Sequence, residues 1–123
     1  MNRWEGIGGL TRDAEFRFTE GGVAVWSATI AVNGARWDGA SRKQVVTTQY
    51  IRCVAFGWAA EEFAQWALLQ GEEIHVVGQL EQADVAKRDG TSERKTSVRV
   101  ITLQPTRRHP TRAANSSPAE PPF

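Results

Sequence analysis

Tyr50-Ile51-Arg52-Cys53-Val54-Ala55-Phe56-Gly57-Trp58 is a strand-like run that interleaves aromatic and cationic side chains and stops at a glycine. Side chains alternate faces along a strand, so Tyr50, Arg52, Val54 and Phe56 share one side while Ile51, Cys53 and Ala55 share the other. The second set reads as core. The first offers two rings and a guanidinium, flat surfaces for unstacked bases and positive charge for a phosphate backbone, which suits a single-stranded nucleic acid. Cross-strand packing of rings against an arginine explains the same pattern, so this run alone leaves both readings open.

Working outward, the periodicity predicts further strands. Trp4, Ile7 and Leu10 stand among glycines in a first strand bent at Gly6, Gly8 and Gly9, and Phe16-Arg17-Phe18 is a short alternating piece. After a Gly21-Gly22 turn, Val23 to Val32 alternates with Ala24, Trp26, Ala28, Ile30 and Val32 inward. Asn33 to Gln44, with Gly34, Asp38, Gly39 and Ser41, has loop composition and carries Trp37 at its centre. Ala59 to Leu69 repeats apolar residues at helical spacing and is followed by Gly71. Glu73 to Leu80 and Ser97 to Leu103 are strands, joined by a polar hairpin with its tip at Asp89-Gly90. From Thr106 to Phe123, prolines, arginines and serines give no packing pattern, and this tail is expected to be disordered. Residues 1–105 therefore form one domain and 106–123 a tail.

Strand, strand, strand, helix, strand, strand is the order of an all-β fold, a five-stranded Greek-key barrel of the OB type with one helix at its end; a different small α+β sheet would also fit. The 123 residues suffice for one core. The absence of a long apolar run or a signal-like opening predicts a cytoplasmic protein. Cys53 is the single cysteine and reads as a core thiol, and His75 and His109 have no spaced partners, so neither a metal nor another cofactor is expected. Residues 1–105 carry 12 Lys and Arg against 13 Asp and Glu, and the tail adds three arginines and Glu120, for +1 overall. Bulk electrostatics cannot recruit a polyanion; local cations and stacking would have to.

Several motifs, in order, carry a resemblance. Ile7-Gly8-Gly9-Leu10-Thr11-Arg12-Asp13-Ala14-Glu15-Phe16-Arg17-Phe18-Thr19, then Phe56-Gly57 with Ala60-Glu61 opening a helix, then Gly71 and Ile74 to Leu80 with Gly78, resemble bacterial single-stranded DNA-binding proteins from about residue 2 to residue 104. The resemblance implies an OB-fold homotetramer that coats single-stranded DNA without sequence preference in replication, recombination or repair, as a nucleoid-associated protein. It implies stacking roles for Trp37, Tyr50 and Phe56. Trp58 stands where a lysine is frequent and would add a ring to the path, or simply pack at the helix start. Arg3, Arg36, Arg52, Lys87, Arg88 and Arg94 are candidate phosphate contacts.

Departures from the family pattern matter equally. Val85 stands where an aromatic is common and cannot stack a base, while Glu81 and Asp84 repel phosphate, so that arm should be weak. Trp26 and Ala28 exchange the usual small and large positions, a volume-conserving swap that assigns Trp26 to the core. The family's acidic tip is reduced to Glu120 beside Arg107, Arg108 and Arg112, so contacts with replication and repair proteins through the terminal Phe123 should be weakened. The competing reading is a primosome-type OB-fold module that holds partner proteins and binds DNA weakly. A nuclease would need carboxylates gathered around a metal, whereas Glu61-Glu62 and Glu72-Glu73 read as surface charge, so no enzymatic activity is expected.

Overall fold

The computed structural model describes residues 1–106. The predicted tail, with Arg107, Arg108, His109, Arg112, Glu120 and Phe123, lies outside the described residues. Six strands and one helix follow in the order β1 (Trp4–Leu10), β2 (Glu15–Phe18), β3 (Ala24–Asp38), β4 (Lys43–Phe56), α1 (Trp58–Ala64), β5 (Glu73–Ala86) and β6 (Ser92–Pro105).

Five of the strands close into the expected barrel. β3 and β4 form a long antiparallel hairpin, β4 meets β6 in parallel through Cys53 opposite Val98 and Val54 opposite Arg99, and β6 returns antiparallel to β5. β5 then pairs with β1, and Gly9 and Leu10 of β1 close the ring on Ala31 and Ile30 of β3. β2 extends the sheet along the other edge of β3. Closure brings backbones so near that a Cβ on Gly8 would lie 2.5 Å from the Ala31 carbonyl oxygen, which is why the first strand carries glycine there.

Alternation along β3 fills the barrel as its sequence predicts. Ala24, Trp26, Ala28 and Ile30 are buried, with Val32 packed at the margin. Trp26, 1% exposed, meets Phe63 of α1 edge to face at 5.7 Å between ring centroids, so the helix caps the barrel through this pair. Cys53 is buried, and desolvation pushes its thiol up to about 12.

Two expectations are corrected. Asn33 to Gln44 is not a loop: pairing continues from Asn33 opposite Thr48 to Asp38 opposite Lys43, and only residues 39–42 turn. The β-branched run Val45 to Thr48 supplies partners that outweigh the glycine signal, and the Thr48 hydroxyl donates to the Asn33 side chain at 2.9 Å. Asp38 closes the turn by accepting from the Ser41 hydroxyl at 2.7 Å and the Ala40 amide at 3.2 Å, bonds that hold its carboxyl below the usual range. The helix, expected over 59–69, ends at Ala64. Ala67 adopts φ 48°, Leu68 is buried, and the Leu68 carbonyl accepts from the Ala14 amide at 3.1 Å. Docking onto the β1–β2 connection thus overrides helix propensity.

Candidate nucleic-acid interface

Directly opposed residues of antiparallel strands point to the same side. The β3–β4 register sets Trp37 opposite Gln44, Ala31 opposite Tyr50, Thr29 opposite Arg52, Ser27 opposite Val54 and Val25 opposite Phe56. Trp37, Tyr50, Arg52 and Phe56 consequently lie in one row on the outer face. The three rings are 62%, 69% and 42% exposed. From Gln44 to Phe56 the row runs roughly 40 Å at ~3.3 Å per residue, long enough for several nucleotides. Val54 shares the face but is buried between Ser27 of β3 and Arg99 of β6.

The cations divide by strand and by face. Arg36, opposite Val45, has the parity of the inward set and points away from Trp37 despite being its neighbour in sequence. Among the described residues Arg36, Arg42, Lys43 and Arg52 make no ion pair, so the β3–β4 ribbon keeps its positive charge. The β5–β6 hairpin is largely self-neutralised: Lys87 pairs with Glu93 at 3.5 Å and Arg94 with Asp84 at 3.3 Å. Arg94 also faces the opposite side of β6 from Arg99, while Arg88 stands at the hairpin turn and makes no ion pair among the described residues. Val85 sits on this hairpin opposite Glu93 and extends no ring.

Two expected residues lie apart from the row. Arg3 precedes β1, which is not a neighbour of β4 in the barrel, and pairs with Glu5 at 3.3 Å. Glu5 also holds His75 at 2.6 Å, and these bonds, His75 first, keep its carboxyl below its ordinary range. Trp58, 76% exposed, opens α1 and flanks a cleft with Phe63, His75, Ile101 and Leu103 rather than extending the β4 face.

Arg99 was not among the expected site residues. Its guanidinium carbon lies 5.1 Å from the centroid of the Phe56 ring, and its Nε forms an ion pair with a Glu81 carboxylate oxygen at 3.0 Å. Alternation against Val98 and Val100 predicts that Arg99 faces outward, but only the parallel β4–β6 pairing shows that it reaches Phe56.

The family model described as "Single-strand binding protein family" matches residues 1–106. The chain belongs to the single-strand binding protein family. Similar members of that family include single-stranded DNA-binding proteins from Mycolicibacterium smegmatis, 31% identical over 90% of this chain and 67% of the relative, and from Clostridium perfringens, 35% identical over 80% of this chain and 61% of the relative. A solved single-stranded DNA-binding protein from Thermus aquaticus superposes with TM-score 0.74 at 28% identity, over 87% of this chain and 51% of that one. The chain thus spans about two thirds or less of the length of these single-strand binding proteins.

Proposed function

We propose that this chain binds single-stranded DNA without sequence preference, stacking bases on Trp37, Tyr50 and Phe56 while Arg52 and the cations of the β3–β4 ribbon neutralise phosphates. The observation that carries the reading is the row of three exposed rings on one continuous face, with Arg52 between Tyr50 and Phe56. Every base has a π-face, so such a row is indifferent to sequence, and protection of single strands in replication, recombination or repair is the use it suits. Near-neutral net charge assigns the binding energy to stacking and placed cations rather than to the protein's overall field.

Assembly into a homotetramer belongs to the same proposal. β1 is paired with β5 on one side, but on the other only Gly9 and Leu10 have a partner and Gly8 lies against Ala31, which leaves the Trp4–Ile7 edge open, with Ile7 exposed. Open edges of this kind pair with a second chain. A monomeric mass at micromolar concentration would refute assembly.

Oligo-dT titration in low salt, read by tryptophan fluorescence, tests the DNA reading. Strong quenching is expected because Trp37 lies on the path. No binding would favour the protein-interaction module instead.

A further inference from the structure

We infer that Arg99 is a phosphate contact on the strand path and that Glu81 is its latch, holding the guanidinium while the path is empty and yielding it to DNA. The inference rests on the single-stranded DNA reading above and goes beyond it by adding a residue of β6 and an opposing carboxylate of β5.

The parallel pairing of Val54 with Arg99 puts Arg99 on the same face as Phe56, and the guanidinium covers the ring at 5.1 Å. Packing beneath it is tight, because a Cβ on Gly78 would lie 2.2 Å from the Arg99 carbonyl oxygen. The backbone that carries this side chain is therefore held close to β5, while the side chain itself is 52% exposed. A planar guanidinium can keep its face on a ring while its N–H edge binds an oxyanion. At present that edge is used by Glu81, at 3.0 Å. A phosphate of a nucleotide stacked at Phe56 presents the same acceptor chemistry to the same donors. Lys87 and Arg94 also have carboxylate partners, but neither touches a ring of the row. Among the described residues Arg99 alone combines a cation–π contact with a ring of the row and a replaceable anion.

The exchange has a definite size. An exposed ion pair biases an equilibrium by about 1.4- to 5-fold, so Glu81 should weaken DNA binding by that factor without blocking it. Each phosphate neutralised on a single strand contributes ~0.7 to the slope of log K against log salt.

Anisotropy of a labelled oligo-dT, titrated from about 50 to about 300 mM salt, would be compared for wild type, Arg99→Gln, Glu81→Gln and the double variant. Arg99→Gln should weaken binding and flatten the slope by ~0.7. Arg99→Lys should retain the slope. Glu81→Gln should tighten binding about 1.4- to 5-fold in the wild-type background and have little effect when Arg99 is absent. An unchanged slope in Arg99→Gln overturns the phosphate contact. Equal tightening by Glu81→Gln in both backgrounds shows diffuse repulsion and overturns the latch. Should Arg99→Gln lower the melting temperature, Arg99→Met, which keeps a long stem without the charge, takes its place: a slope flattened by ~0.7 supports the phosphate contact, and an unchanged slope overturns it. Failure of the wild-type chain to bind oligo-dT would refute the DNA reading itself, whereas wild-type binding with an unaltered Arg99→Gln slope refutes only the present inference.

Discussion

Replacing Trp37 by alanine separates a ring used for binding from a ring used for folding. The side chain is 62% exposed and stands beyond the barrel on the β3–β4 ribbon, where it opposes Gln44. Its contribution to stability is that of one cross-strand pair, ~0.2–1 kcal/mol. Its contribution to DNA binding is that of one stacked base, ~1–3 kcal/mol, or about 5- to 150-fold in affinity. Trp37→Ala should therefore weaken oligo-dT by at least about fivefold while the melting temperature falls by only a few degrees, ~4–8 °C per kcal/mol in a domain of this size. Anisotropy of a labelled oligonucleotide gives the affinity, and circular dichroism gives the melt. Intrinsic fluorescence adds an independent readout, because Trp26 is buried while Trp37 lies on the row. Quenching by oligo-dT should shrink in the variant. Affinity within twofold of wild type, or a melt displaced as far as a core substitution displaces it, would refute the assignment.

Trp26→Ala should behave in the opposite way, since it removes a buried ring and its edge-to-face contact with Phe63; the expected loss is ~3–5 kcal/mol, a fall in melting temperature on the order of 15–30 °C at fixed protein concentration. Gly78→Ala should destabilise by ~1–3 kcal/mol in chemical denaturation, because the new Cβ meets backbone of β6 that no side-chain rotation can move; a stable variant would mean that the β5–β6 pair separates freely. Cys53, with its thiol raised to about 12 by burial, should resist iodoacetamide in the native protein at mild alkaline pH and react on unfolding, as followed by mass spectrometry. Because the folded chain keeps the proton that the unfolded chain releases from about pH 8.5 upward, the protection that burial confers is complete below that pH, and this group's part in stability declines as pH rises toward 12.

Period-two patterning made the barrel readable. Trp26, Ala28 and Ile30 recur at every second residue, so their burial and the outward set of β4 follow from sequence, although Val25 and Ser27, which flank Trp26, are buried as well. Where composition misled, a tertiary partner reversed the local preference. Gly34 and Asp38 suggest a loop, yet Thr47 and Lys43 pair with them across the hairpin; Ala67 and Leu68 fit a helix, yet the chain bends to bury Leu68. The misplaced loop had a consequence for the candidate site: it left Trp37 and Arg36 as neighbours, whereas a strand sends them to opposite faces.

Arg99 marks a different boundary of what a single strand's pattern can reveal. Its outward direction is encoded in the alternation of β6, but its partners come from two other strands: Phe56 through a parallel pairing across forty-odd residues, and Glu81 through the antiparallel return of β5. Pairing register is a property of two strands together, and a shift of one residue would send Arg99 to the barrel interior. The same dependence changes the meaning of Glu81. In sequence it is an acid on a DNA-facing arm and so a source of repulsion; in the structure it meets a guanidinium that lies over a ring of the row. A carboxylate in that position tunes affinity through its partner, so its removal should act through Arg99, and only a measurement that changes both residues can detect it.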